Sequence, residues 1–183
     1  MIIDRNQLKY LFEEAKSRYK ALDDVNISLR FSNGWFFTMQ ALIEPRSMLR
    51  KKRKYYVRIN LKRTDIISKL SKDDILGWFG HEFAHVVEYE KMSNSKLFLF
   101  ILRYIFDIKF RFFVERRVNV FAFNNGFAKE LVGVGKKFLS VYSANSKYRK
   151  YIENYFPRWE DIKEVAQNQG LNKQEYESFK IIS

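Results

Sequence analysis

The spacing of apolar residues changes twice along the first half of the chain. Leu8, Leu11, Phe12, Ala15 and Tyr19 recur at helical intervals, which predicts a core-facing helix over 4–20 with Asp4 and Gln7 as its capping pair. The period then falls to two. Val25, Ile27, Leu29 and Phe31 alternate with polar neighbours and predict a strand, and Asn33-Gly34 predicts a hairpin turn into a second strand over 35–43 that Pro45 ends. Tyr55, Val57, Ile59 and Leu61 predict a third strand on the same grounds. An antiparallel sheet is therefore expected near the N-terminus.

From Ser71 the helical period returns. Ser71 with Asp74 has the form of a capping box, and Ile75, Leu76, Trp78, Phe79, Phe83, Ala84 and Val87 suit a buried helix. A second long helix is expected from near Ser95 to Gly126, followed by helices over 128–143 and 147–155. Pro157 precedes another over 158–169, closed by Gly170, and 172–181 forms a last one. Strands first and helices after give the α+β class, with a small N-terminal antiparallel sheet and a helix-rich C-terminal half in one domain, 1–183. Within 96–113, Arg103, Asp107, Lys109 and Arg111 interrupt an apolar run too often for a membrane span. A buried core helix with a polar seam is expected there in preference to a membrane-lying helix, with Arg103, Asp107, Arg111 and Glu115 four apart along a slowly turning stripe.

Composition narrows the chemistry. The chain has 183 residues, 46% of them hydrophobic, enough for a sizeable core without staples. It has no cysteine, which excludes a disulfide framework, a thiolate zinc site and a cysteine nucleophile. The first twenty residues lack the succession of a signal peptide, so a cytoplasmic location is expected. A formal net charge of +13 serves solubility or attraction to nucleic acid, anionic lipid or acidic protein. The charge concentrates over 46–63, which holds nine basic residues and no acid. As a hairpin connection leading into the third strand, this stretch is expected near a sheet edge. There it would recruit a nucleic acid, an acidic substrate or a membrane surface, or act as a solvated loop whose charges stop edge pairing. Tyr55 and Tyr56 are its only aromatic residues, which gives single-strand binding little support.

The only two histidines, His81 and His85, stand four apart in "HEFAH", one above the other on a helix face and able to offer two imidazole nitrogens to one ion. Glu82, one residue round the helix, is placed to take a proton from a water at that ion and pass it to a leaving amine, which is the chemistry of peptide hydrolysis. A catalytic zinc (Zn2+) needs a third protein ligand, and with no further His or Cys it must be a carboxylate. Glu115 is preferred, with Asn119 one turn later able to orient a histidine; Glu88 and Asp107 are the rivals. Arg116, Arg117, Tyr148 and Tyr151 are the candidates for stabilising an oxyanion, and none is selected.

"HEFAHVVEY" followed some thirty residues on by "ERRVNVFA" resembles the gluzincin pattern of zinc metallopeptidases, in which a glutamate on a later helix completes HExxH. More closely, "RINL", "GHEFAHVVEYEK", "RYIFDIKFR", "ERRVN", "NNGFAKEL" and "YFPRWEDI" resemble a group of small bacterial proteins of metallopeptidase type. The resemblance implies a zincin-like fold, zinc held by His81, His85 and Glu115, Glu82 as general base and a peptide or protein substrate. Asn119 departs from the pattern, which has Asp at that position; an amide still accepts a hydrogen bond but brings no negative charge. Two alternatives stand beside this reading. One is a DNA-associated protease of the SprT-like kind, favoured by the charge and disfavoured by the missing third histidine. The other is a basic binding protein for nucleic acid or a membrane surface, with a structural or lapsed metal site.

Overall fold

The computed structural model describes residues 4–33, 38–62, 67–141 and 153–177. Among them are a three-stranded sheet near the N-terminus and seven α-helices, most of them in the C-terminal half, so the chain is of the α+β class. Helix α1 (Arg5–Ser17) begins where the Asp4 carboxylate accepts from the Asn6 and Gln7 amides at 2.7 and 2.8 Å, and it buries Leu8, Leu11, Phe12 and Ala15.

Strands β1 (Asn26–Ser32), β2 (Met39–Ile43) and β3 (Lys54–Asn60) lie in the order β1-β3-β2, so the expected β1–β2 hairpin does not form. β3 pairs parallel with β1 and antiparallel with β2, which makes the sheet mixed rather than antiparallel. β3 takes the centre because its inward residues Tyr55, Val57 and Ile59 are all at most 1% exposed, whereas those of β1 are only partly covered. β2 opens at Met39, too far from Asn33 for a two-residue turn; residues 34–37 lie outside those described. The true hairpin is β2–β3, closed by the basic loop 44–53 as its sequence position predicts.

Helix α2 (Lys72–Glu90) starts at the expected capping box, Ser71 and Asp74 satisfying each other's backbone amides, and is buried almost all round. It packs on the sheet, on α1 and on the later helices. The expected single helix over 95–126 is two, α3 (Asn94–Phe106) and α4 (Ile108–Asn124), broken at Asp107. Asp107 adopts extended backbone and its carboxylate accepts from Phe110 N at 3.0 Å, so it caps α4 rather than continuing the stripe. Arg111 then donates to the Tyr104 and Ile105 carbonyls at the end of α3, at 2.9 and 2.8 Å. The expected buried core helix is buried on one face only. Leu97 and Phe100 face inward, while Phe98, Leu99, Leu102, Ile105 and Phe106 face solvent. Among the described residues no helix is long and apolar enough to cross a membrane.

α4 ends in a Schellman motif: Gly126, at φ 85°, donates to Phe123 O, and Phe127 N to Ala122 O. The same closure at Gly170, φ 71°, ends α6 (Trp159–Asn168), which follows α5 (Ala128–Val141) and precedes α7 (Lys173–Glu177). Most of the expected 147–155 helix and the ends of those over 128–143 and 172–181 fall outside the described residues. One hydrophobic cluster draws buried side chains from every helix and from β2 and β3, with β1 packed against it.

Candidate metal centre

The site is built on α2 because that helix is held on all sides. The Tyr19 hydroxyl donates to the Gly80 carbonyl at 2.7 Å, one residue before His81, and Phe83 packs edge-on against Phe12. His81 and His85, one turn apart, are brought face to edge, and their Nε2 atoms come within 3.2 Å. Glu115 arrives from the middle of α4. One carboxylate oxygen lies 3.1 Å from His81 Nε2 and the other 3.5 Å from His85 Nε2, and the side chain is buried. These three residues are the only His, Asp or Glu group of metal-binding geometry among the described residues.

Neighbours orient them. Asn119, one turn beyond Glu115, places Oδ1 2.8 Å from His81 Nδ1 and donates through Nδ2 to the Tyr155 carbonyl at 2.9 Å. The Tyr104 hydroxyl donates to the Glu115 carboxylate. His85 stacks on Tyr89, ring centroids 5.9 Å apart, and its Nδ1 is buried without a hydrogen-bond partner. Sequence reading did not find Tyr104. It sits on α3, and only the break at Asp107 folds that helix back over Glu115.

Electrostatics tie the cluster together. Burial opposes the His81 imidazolium, but the hydrogen bond and charge of Glu115 outweigh it and carry the pKa up to about 9. Burial alone would raise Glu115; facing His85 and His81, its carboxyl is instead held well below the usual carboxylate range. Burial, with Glu115 beside it, pushes the Tyr104 hydroxyl far above the ordinary phenol value, so it remains a donor.

Glu82 is buried beside the cluster, and its Oε2 accepts from Ala41 N of β2 at 2.6 Å. Burial raises its pKa, opposed by the charges of His81 and His85. Among the described residues β2 is an edge strand. Thr38 O accepts from Asn60 N and Glu44 N donates to Lys54 O, so even-numbered residues bond β3 while Met39, Ala41 and Ile43 direct their backbone groups outward. Edge strand, cluster and Glu82 all line one cleft of about 1070 Å³, whose other side includes Phe100, Ile101, Tyr104 and Ile105 of α3.

The remaining candidates are elsewhere. Glu88 pairs with Arg117, so neither reaches the cluster, and Asp107 is at the helix break with Arg103 3.3 Å away. Arg116 donates to Asn154 O at 3.4 Å, and Tyr148 and Tyr151 lie outside the described residues. In the basic stretch, Arg53 donates to Tyr89 O, Met92 O and Asn94 Oδ1 and is structural; Arg46, Arg50, Lys51 and Lys52 are exposed. Pro45 and Met48 border the cleft, so this loop does lie at the edge-strand end.

The donor set fits a small divalent cation. Two ligand atoms about 2.1 Å from one ion at the tetrahedral angle stand about 3.4 Å apart; here the two imidazole nitrogens are 3.2 Å apart, and one carboxylate oxygen lies 3.1 Å from the first and the other oxygen 3.5 Å from the second. Comparison with protein-family models, with curated proteins and with solved structures finds no match to this chain.

Proposed function

We propose that this chain is a zinc-dependent metallopeptidase in which His81, His85 and Glu115 hold the metal and Glu82 is the general base. The convergence of two imidazole nitrogens and the Glu115 carboxylate inside a cleft that also holds the buried carboxylate of Glu82 carries this reading. Bound there, zinc would acidify a water and polarise a carbonyl. Glu82 takes the proton and returns it to the departing amine. Its Oε2 is engaged by Ala41, which leaves Oε1 for the transfer. Burial supports this role, because a carboxylate raised above its ordinary value accepts and releases a proton more readily near neutral pH. The substrate is a peptide in extended form, laid along the outward groups of Met39 and Ile43 on the free edge of β2. Tyr104 positions Glu115, and Asn119 positions His81.

The test is metal content and chelator-sensitive cleavage of unfolded protein substrates by purified protein beside Glu82→Gln. Retained metal with cleavage reduced by about a hundred- to ten-thousand-fold is expected. Full cleavage in that variant, or a protein that takes up no metal, overturns the proposal.

A further inference from the structure

Successive helical residues are about 100° apart, so the exposed Phe98, Leu99, Leu102, Ile105 and Phe106 of α3 fall within one arc of about 120°. That arc carries no charge: the only other residue on it is Ser95. Phe106, at 82% exposed, stands at the tip where the chain turns into α4. Monomeric proteins rarely leave a contiguous apolar stripe of this kind to water. A second exposed apolar side chain, Leu49 at 86%, projects from the basic loop. Arg53 fastens that loop to Asn94, the first residue of α3, through two bonds of 3.2 and 2.6 Å. Loop and stripe both reach the cleft, which Met48 lines from the one and Ile105 from the other.

The charges round this surface are nearly all of one sign. Arg46, Arg50, Lys51 and Lys52 flank Leu49, and Lys96, Arg103 and Lys109 flank the stripe, all of them exposed. Over 46–62 and 94–111 the only acid is Asp107, whose oxygens are occupied by Phe110 N and Arg103. We infer that this face docks onto an anionic lipid surface, the apolar stripe and Leu49 entering the headgroup region and the cations meeting the phosphates, with the cleft held beside the membrane. A second copy of the chain is the other apolar partner to consider. Self-pairing through a two-fold axis would set these cations against their own equivalents, which is repulsive. Docking of this kind needs no membrane-spanning helix and does not depend on hydrolysis in the cleft.

The experiment is co-sedimentation of the full chain with phosphatidylcholine vesicles, with or without about one quarter phosphatidylglycerol. Two surface variants accompany it, F98S/L99S/F106S and R50E/K51E/K52E, with thermal melting to show that both remain folded. Binding is expected to the anionic vesicles only, to weaken as salt rises, and to fall by about tenfold or more in each variant. No binding to anionic vesicles overturns the inference. So does binding that the apolar triple variant leaves unchanged, which would be surface attraction alone. Concentration-dependent dimerisation lost in that variant, without vesicle binding, assigns the face to a second copy and overturns it equally.

Discussion

Asn119 Oδ1 faces His81 Nδ1 at 2.8 Å, and the orientation is not free to reverse, because the amide nitrogen is committed to the Tyr155 carbonyl at 2.9 Å. An amide oxygen only accepts, so Nδ1 of His81 carries the hydrogen and Nε2 is the nitrogen turned toward Glu115. One side chain thereby sets the tautomer of a proposed ligand.

Removing it should cost metal affinity rather than fold. Asn119→Ala is expected to weaken zinc binding by about ten- to a hundredfold, read by competition with a chelating indicator. Unchanged affinity would show that the amide orients nothing of consequence.

Glu115 and Glu88 should separate cleanly. Glu115→Ala is expected to abolish stoichiometric metal uptake, whereas Glu88→Ala, which loses only the pair with Arg117, should keep it. Metal analysis of the two purified variants decides, and equal retention in both removes Glu115 from the centre.

Cation and proton compete for His81. In the metal-free protein its pKa is raised from 6.5 to about 9, so the proton is bound at neutral pH and must leave before Nε2 can ligate. Affinity should therefore climb by about tenfold per pH unit up to that value, with about one proton released per ion, measurable calorimetrically in buffers of different ionisation enthalpy. The same shift makes a stability statement. A histidine whose folded pKa is raised contributes stability fully present below 6.5 and lost as pH rises through about 9. The depressed Glu115 contributes stability that is present above 4.5 and lost as pH falls below it. Chemical denaturation of the metal-free protein should thus show weakening on the alkaline side that added zinc suppresses.

Gly77 offers a test of the packing that holds α2. Alanine in place of glycine inside an exposed helix gains about 1 kcal/mol. Here a Cβ would stand 2.6 Å from the Glu130 backbone carbon of α5, and overpacking of this sort costs about 1–3 kcal/mol. Gly77→Ala should therefore lower the urea midpoint; a rise would show that α5 yields without penalty.

What the sequence made legible was local. Asp4, Ser71, Gly126 and Gly170 mark helix ends because the groups that satisfy them lie within a few residues, and His81, Glu82 and His85 share one turn. Strand order is different: Asn33-Gly34 carries a strong local hairpin signal, yet the deeper burial available to Tyr55, Val57 and Ile59 sends β3 between the two strands it would join. Asp107 falls by its four-residue spacing into a charged stripe, and that spacing hides its aptitude as a helix cap. The place of Glu115 beside the histidines follows from a resemblance together with the shortage of other ligands, and the structure brings the three side chains together. That the Ala41 amide meets Glu82 is a matter of how a strand lies against a helix, and no spacing in the chain announces it.

That amide has a further consequence. Of the rungs β2 turns away from its neighbour, the middle one has its N–H already spent on the carboxylate and keeps only its carbonyl. A chain settling along this margin would be gripped fully on both flanks and by half as many bonds at the centre, so the stretch opposite Glu82 is the one with slack to pucker.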